Sequence, residues 1–162
     1  MGRHWGVRIA RIVSGGQAGA DRAALDAAVR HGLEHGGWCP AGGWAEDRPD
    51  PPGLRRDYPA LRETRSPDPA ERTRLNVRDS HATLVVHCHP GDSAGTDLTV
   101  DAAARLGRPC LVTTDAEAVL DWLSALGREL TLNVAGPRES EQPGAYATTI
   151  DLLDRVLRAD VD

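Results

Sequence analysis

Phenylalanine is absent from this 162-residue sequence, and aromatic residues make up only 4% of it. Hydrophobic residues still reach 40%, so the composition is that of a globular protein whose core is built mainly from Val, Leu, Ile and Ala. No apolar run approaches the roughly 20 residues that a membrane-spanning helix requires, so we expect no membrane partner. The length predicts a single domain over residues 1–162.

Cysteine and positive charge are also scarce. The three cysteines, Cys39, Cys88 and Cys110, form no C-x-x-C pair, which argues against both a disulfide framework and a structural zinc site. The net charge of −5 argues against binding to nucleic acid or an anionic membrane, since both need a basic surface. Residues 1–6 are short and polar, unlike a signal peptide, and we expect a cytoplasmic protein.

Apolar runs alternate with helical patterns along the chain. The predicted strands are 7–14, 37–39, 61–64, 82–88, 110–113 and 131–134, and the predicted helices are 20–30, 69–79, 97–106, 116–126 and 146–157. This alternation predicts an α/β fold with a mostly parallel central sheet covered by helices on both faces. Residues 41–59, rich in Pro, Gly and charge, lack such periodicity and are either a functional loop or disordered.

Three loops with small residues or glycine follow predicted strands: "SGGQAG", "HPGDSAGT" and "NVAGPRES". Ligands of such sheets bind beyond the carboxyl ends of the strands, so the three loops should converge on one site. The first two run into helices, an arrangement typical of phosphate sites because backbone N–H groups and the helix dipole face the anion. The candidate ligand-binding residues in these loops are Gly15, Gly16, Gln17, Gly19, Ser93, Gly95, Thr96, Asn133 and Arg138.

Structural alternatives exist for these residues. The glycines could form a tight turn, Thr96 could simply cap its helix, and Arg138 could be a surface residue rather than an anion clamp. Asp21, at the start of the first helix, either orients its own loop or contacts the ligand.

Two further segments carry charged or metal-binding residue types. In "RTRLNVRDS", one arginine is expected to reach the site, and we favour Arg78 over Arg72 and Arg74. His87 and His89 share one face of a predicted strand, but two ligands without a third cluster do not make a metal site. We therefore predict no metal site and place these histidines in the pocket wall.

Six blocks, in order, resemble the molybdenum-cofactor carrier family: "GGQAGADRAALDAA", "HGGWCPAG", "AED", "YPALRET", "RTRLNVRDS" and "LNVAGPRES". That family belongs to a Rossmann-like superfamily that includes the LOG-type nucleotide phosphoribohydrolases, and the resemblance covers about residues 9–157. It implies a Rossmann-like three-layer fold, a homodimer or homotetramer, and binding of molybdenum cofactor, a pterin with a terminal phosphate, without chemistry.

Two of the departures from these relatives concern the chemistry of the site. Ala18 stands where the carrier loop usually has threonine, and Thr99 stands where the LOG-type hydrolases have a glutamate that acts in catalysis. Threonine cannot do the acid–base work of a carboxylate. The leading interpretation is therefore a binding protein for a phosphorylated heterocyclic small molecule, with molybdenum cofactor the first candidate. The alternatives are a nucleoside monophosphate N-glycoside hydrolase that uses a carboxylate such as Glu46 or Asp47, and a nucleotide-sensing module.

Overall fold

The computed structural model describes residues 8–87 and 93–161. The described strands are β1 (Ile9–Val13), β2 (Glu34–Cys39), β3 (Leu61–Glu63), β4 (Ala82–Val85), β5 (Cys110–Val112) and β6 (Leu130–Ala135). The described helices are α1 (Ala20–Arg30), α2 (Pro69–Arg78), α3 (Ala94–Leu106), α4 (Ala116–Leu126) and α5 (Ala145–Val161), with short 3-10 turns at Ala41–Gly43 and Gly53–Arg56.

The six strands form one sheet in the order β3-β2-β1-β6-β4-β5, and every pairing between them is parallel. One group of helices, α1, α4 and α5, packs together on the sheet, and α2 and α3 form a second group. The predicted α/β, Rossmann-like three-layer fold is confirmed. None of the helices within the described ranges is both long and apolar enough to cross a membrane.

The main core is aliphatic, as a chain without phenylalanine requires. Ile12 of β1 and Leu132 of β6 are paired in the sheet and fully buried. Ala24 and Ala28 on α1 are also fully buried, and α1 packs directly against α5, where Leu153 joins the same cluster. Small side chains let the two helices and the sheet approach closely, so the cluster can be buried without large rings.

Caps explain where several helices begin. The Asp68 side chain accepts a hydrogen bond from Ala70 N at 3.0 Å, and proline follows it as the first residue of α2. Ser93 accepts from Thr96 N at 3.3 Å, so α3 begins at Ala94, three residues before the predicted start. Thr96 is therefore not the cap that its sequence position suggested as an alternative.

Residues 41–59, which we call the 41–59 segment, are packed against the body of the protein. Ala45 and Leu54 are fully buried in a second cluster with Leu25, Cys39 and Leu61. Asp26 joins the two tyrosines of the chain. The hydroxyls of Tyr58 and Tyr146 donate to its two carboxylate oxygens, at 2.5 and 2.6 Å. These contacts hold the segment against α1 and α5.

Gly136, directly after β6, lies where this strand crosses the start of α1. A Cβ atom at Gly136 would stand 2.6 Å from Ala20 Cβ and 2.8 Å from Val86 O. The absence of a side chain therefore sets how closely the end of β6 approaches the start of α1 and the residue that follows β4.

We expect Gly136→Ala to lower the free energy of unfolding by about 1–3 kcal/mol, the usual cost of overpacking a tight site. Gly95→Ala is the matched control, because its Cβ would meet nothing closer than Ser93 Oγ at 3.8 Å. Since alanine also favours a helix, this control should be neutral or slightly stabilising. Urea denaturation of both variants checks the difference, and equal stabilities would contradict it.

Candidate functional site

A cavity of about 320 Å³ lies at the carboxyl edge of the sheet. Its wall comes from the turn after β1, the first turn of α1, the buried face of α2, the start of α3, the end of β6 and the loop that follows. The lining residues used below are Gly15, Gln17, Asp21, Arg72, Asn76, Gly95, Thr99, Asn133, Gly136, Arg138 and Glu141. Five of the predicted site residues are among them: Gly15, Gln17, Gly95, Asn133 and Arg138.

Asp21 and Arg72 form a buried ion pair in the cavity wall. Arg72 Nη1 lies 3.6 Å from Asp21 Oδ2 and donates a hydrogen bond to Gly15 O at 3.2 Å. Burial raises the pKa of Asp21 to about 6, although Arg72, Arg138 and the Gly136 N–H each lower it. The pair gives the cavity one cation and one carboxyl group that holds its proton more tightly than usual.

Arg138 supplies the second cation. Its guanidinium carbon lies 5.7 Å from the centre of the Trp44 ring. The backbone of Arg138 forms an isolated antiparallel β-bridge with Gly19. Among the residues that the structure describes, no carboxylate lies within ion-pair distance of this guanidinium. A cation stacked on a ring and facing a cavity is well placed to bind an oxyanion.

Two buried side-chain atoms near this edge lack a hydrogen-bond partner within the described part of the chain: Gln17 Nε2 and Thr96 Oγ1. Gln17 lines the cavity, whereas Thr96 does not and is buried in the first turn of α3. Native proteins pair nearly all buried polar groups, so an unpaired one in a cavity wall points to a ligand.

Gly16, Gly19 and Ser93 shape the site without lining the cavity. Gly16 has a φ of +75° and its carbonyl accepts from Arg22 Nε at 2.9 Å. Gly19 has a φ of +108°, and a Cβ there would stand 2.5 Å from Pro137 O. Both positions therefore need glycine for the turn itself, as the structural alternative supposed.

The two candidate catalytic carboxylates, Glu46 and Asp47, are engaged outside the cavity. Glu46 Oε2 accepts from Ser140 Oγ at 2.6 Å. Asp47 receives two hydrogen bonds from Arg22, at 3.0 and 2.8 Å, and this contact lowers the pKa of the Asp47 carboxyl. These side chains join loops to one another and do not face the cavity.

The structure does not bring Arg78 to the cavity; Arg72 takes that place. Arg78 is exposed and donates from Nε to Asp79 Oδ1 at 2.7 Å. The reason is the direction of α2, which starts at the carboxyl edge of the sheet and runs away from it. Arg78 comes six residues after Arg72, and this spacing places it about 9 Å further along the helix axis, toward the opposite edge of the sheet.

His87 is buried but does not line the cavity. His89 and the first part of "HPGDSAGT" lie outside the described residues. Within residues 8–87 and 93–161, no group of three or more His, Cys, Asp or Glu side chains could hold a metal ion.

Sequence reasoning missed some of the wall. Arg72 and Asn76 stand four residues apart on one face of α2, so helical spacing could have paired them, whereas the choice of Arg72 over Arg78 needs the direction of the helix. For Asp21, the sequence does not distinguish between orienting its own loop and contacting the ligand. Glu141 carries no local signal, because only the loop after β6 brings it to the cavity, where its Oε1 accepts from Arg138 N at 3.2 Å.

Comparison with known proteins adds a family and a solved structure. The family model described as "Circularly permutated YpsA SLOG family" matches residues 12–157. A solved structure from Syntrophus aciditrophicus SB, described as a "Putative molybdenum carrier protein", is 37% identical, covers 93% of this chain and 96% of its own, and has a TM-score of 0.82. None of the curated proteins matches the chain.

The pKa of Asp21 predicts how stability depends on pH. Because the folded pKa of about 6 exceeds the ordinary value of 3.8, the native state binds this proton more tightly than the unfolded chain does. The contribution of Asp21 to the free energy of unfolding should therefore fall as pH rises from about 4 to about 6, by about 3 kcal/mol, and stay constant above.

Urea denaturation of the wild type and of Asp21→Asn across this pH range measures that contribution as the difference between the two proteins. The difference should decline between pH 4 and 6 and then level off. A difference that does not change with pH would show that burial does not perturb this carboxyl.

Proposed function

The chain belongs to the circularly permutated YpsA SLOG family, and from the cavity described above we propose that it is a binding or carrier protein for a phosphorylated heterocyclic small molecule. Molybdenum cofactor is the first candidate, which the name of the similar Syntrophus protein supports. The observation that carries the proposal is the cavity wall itself, which holds Arg72, Arg138 and a Gln17 Nε2 that has no partner among the described residues.

The residues of the wall fit such a ligand. A cavity of about 320 Å³ is at the small end of ligand sites, suited to one ring system with a phosphate. Arg72 and Arg138 can pair with phosphate oxygens, since guanidinium groups bind oxyanions in a bidentate manner. Gly15 and Gly136 also line the cavity, where neither adds a side chain to its wall. The molybdenum would arrive as part of the cargo, and no described residue is needed to ligate it.

Binding without chemistry is favoured over hydrolysis by the state of the candidate catalytic groups. Thr99 lines the cavity, but its hydroxyl donates to Gly95 O at 2.9 Å and has no acid–base function. Glu46 and Asp47 are held elsewhere by Ser140 and Arg22.

N-glycoside hydrolysis remains as a second candidate on one observation. Asp21 faces the cavity, and burial raises its pKa to about 6, which is close to what a general acid needs at neutral pH. This carboxyl would have to donate a proton to the leaving base while water attacks the sugar carbon.

The carrier proposal predicts that the purified protein retains a phosphorylated ligand visible by native mass spectrometry. Arg138→Gln should lower the bound fraction, with an affinity loss of about tenfold or more, because it removes a charged hydrogen-bond donor from the cavity. Arg78→Gln is the matched control, since it removes the same charge from an exposed arginine outside the cavity. Equal loss in both variants, or no ligand in the wild type, would contradict the proposal.

The same proposal predicts that AMP, GMP, CMP and UMP release no free base above background when incubated with the protein, as measured by chromatography. Release of free base by the wild type that disappears in Asp21→Asn would overturn the carrier proposal and identify Asp21 as the general acid. Release that instead disappears in Glu46→Gln or Asp47→Asn would place the chemistry in the 41–59 segment.

A further inference from the structure

The side-chain amide of Gln17 is held in one orientation. Its Oε1 accepts two backbone hydrogen bonds, from Ala18 N at 3.1 Å and from Glu46 N at 2.8 Å. Both partners are donors, so a reversed amide would set N–H groups against N–H groups. The network therefore identifies the oxygen and leaves Nε2 as the free end of the side chain.

That end of the side chain is a buried donor with no acceptor in the described part of the chain. Gln17 is only 2% exposed, it lines the cavity, and Nε2 has no partner among the residues that the structure describes. An unpaired buried donor costs free energy in the empty protein, and a ligand that supplies an acceptor would recover it.

The Nε2 donor of Gln17 carries no charge, and this indicates which part of a ligand it contacts. Two arginines, Arg72 and Arg138, already supply the cavity with the positive charge that a phosphate requires. An amide N–H is neutral and directional, which suits an uncharged acceptor such as a ring carbonyl or an unprotonated ring nitrogen.

We propose that Gln17 determines ligand specificity by donating a hydrogen bond from Nε2 to an acceptor on the heterocyclic ring. Ligands with a carbonyl at that position are bound, and those with an amino group there are rejected because two donors would face each other in a buried site. This inference rests on the proposed function. Glu46 is a positioning residue in it, because its backbone N–H holds Oε1 away from the ligand.

The test compares pairs of nucleotides that differ in a carbonyl and an amino group, IMP with AMP and UMP with CMP, by isothermal titration. The wild type should prefer the carbonyl member by about tenfold or more, the value of a hydrogen bond that would otherwise be left unmade. Gln17→Glu keeps an oxygen for Ala18 N and Glu46 N and presents an acceptor instead of a donor, so the preference should reverse. The selectivity ratio cancels the effect of the added charge, since both members carry the same phosphate.

Gln17→Met is the second variant, of similar volume and with neither donor nor acceptor. It should abolish the carbonyl preference and leave the affinity for inorganic phosphate within about twofold of the wild type. It also keeps the inference testable should Gln17→Glu fail to fold, as judged by circular dichroism.

The outcomes separate the two levels of the proposal. Unchanged selectivity in the folded variants would overturn the role of Gln17 and leave the proposed function standing. Loss of inorganic phosphate binding in Gln17→Met, equal to the loss for IMP, would assign the amide to the phosphate and likewise overturn it. A wild type that binds neither phosphate nor any of the four nucleotides would overturn the proposed function, and this inference with it.

Discussion

The guanidinium of Arg22 is the contact on which the geometry of the site depends. It is buried, donates from Nε to Gly16 O at 2.9 Å and makes two further hydrogen bonds to Asp47, at 3.0 and 2.8 Å. One side chain of α1 thereby ties the glycine turn after β1 to the 41–59 segment. A buried charge that loses its partner is strongly destabilising, so this arrangement tolerates little variation.

Other contacts of the site follow from that connection. With Asp47 fixed by Arg22, the neighbouring Glu46 lies beside the glycine turn, where its backbone N–H reaches Gln17 and its carboxylate reaches Ser140. The 41–59 segment and the loop after β6 are thus joined on one side of the cavity. This explains why two carboxylates that resemble catalytic candidates in the sequence act as connectors in the structure.

Features encoded locally could be predicted, and those that depend on distant partners could not. The bounds of α1 agree with prediction because its alanine spacing and following glycine are local signals. The polar start of β2, "EHGG", gives no strand pattern and becomes a strand only because Glu34 and His35 pair with β1. At the site, the glycine turn was recognisable, but the choice of Arg72 over Arg78 depends on the direction of α2, and Glu141 reaches the cavity only through tertiary structure.

The charges of the cavity wall bear on how a protein of net charge −5 would bind an anion under the proposed function. Arg72 pairs with Asp21, and Glu141 lines the same cavity as Arg138, so the two cations of the wall are matched by two carboxyl groups. A phosphate placed between the arginines would compete with Asp21 for Arg72, which favours the protonated carboxyl. Because burial raises the pKa of Asp21 to about 6, this carboxyl takes up a proton at a pH closer to neutrality than an ordinary aspartate does. On the proposed function, ligand binding would therefore be coupled to proton uptake by Asp21.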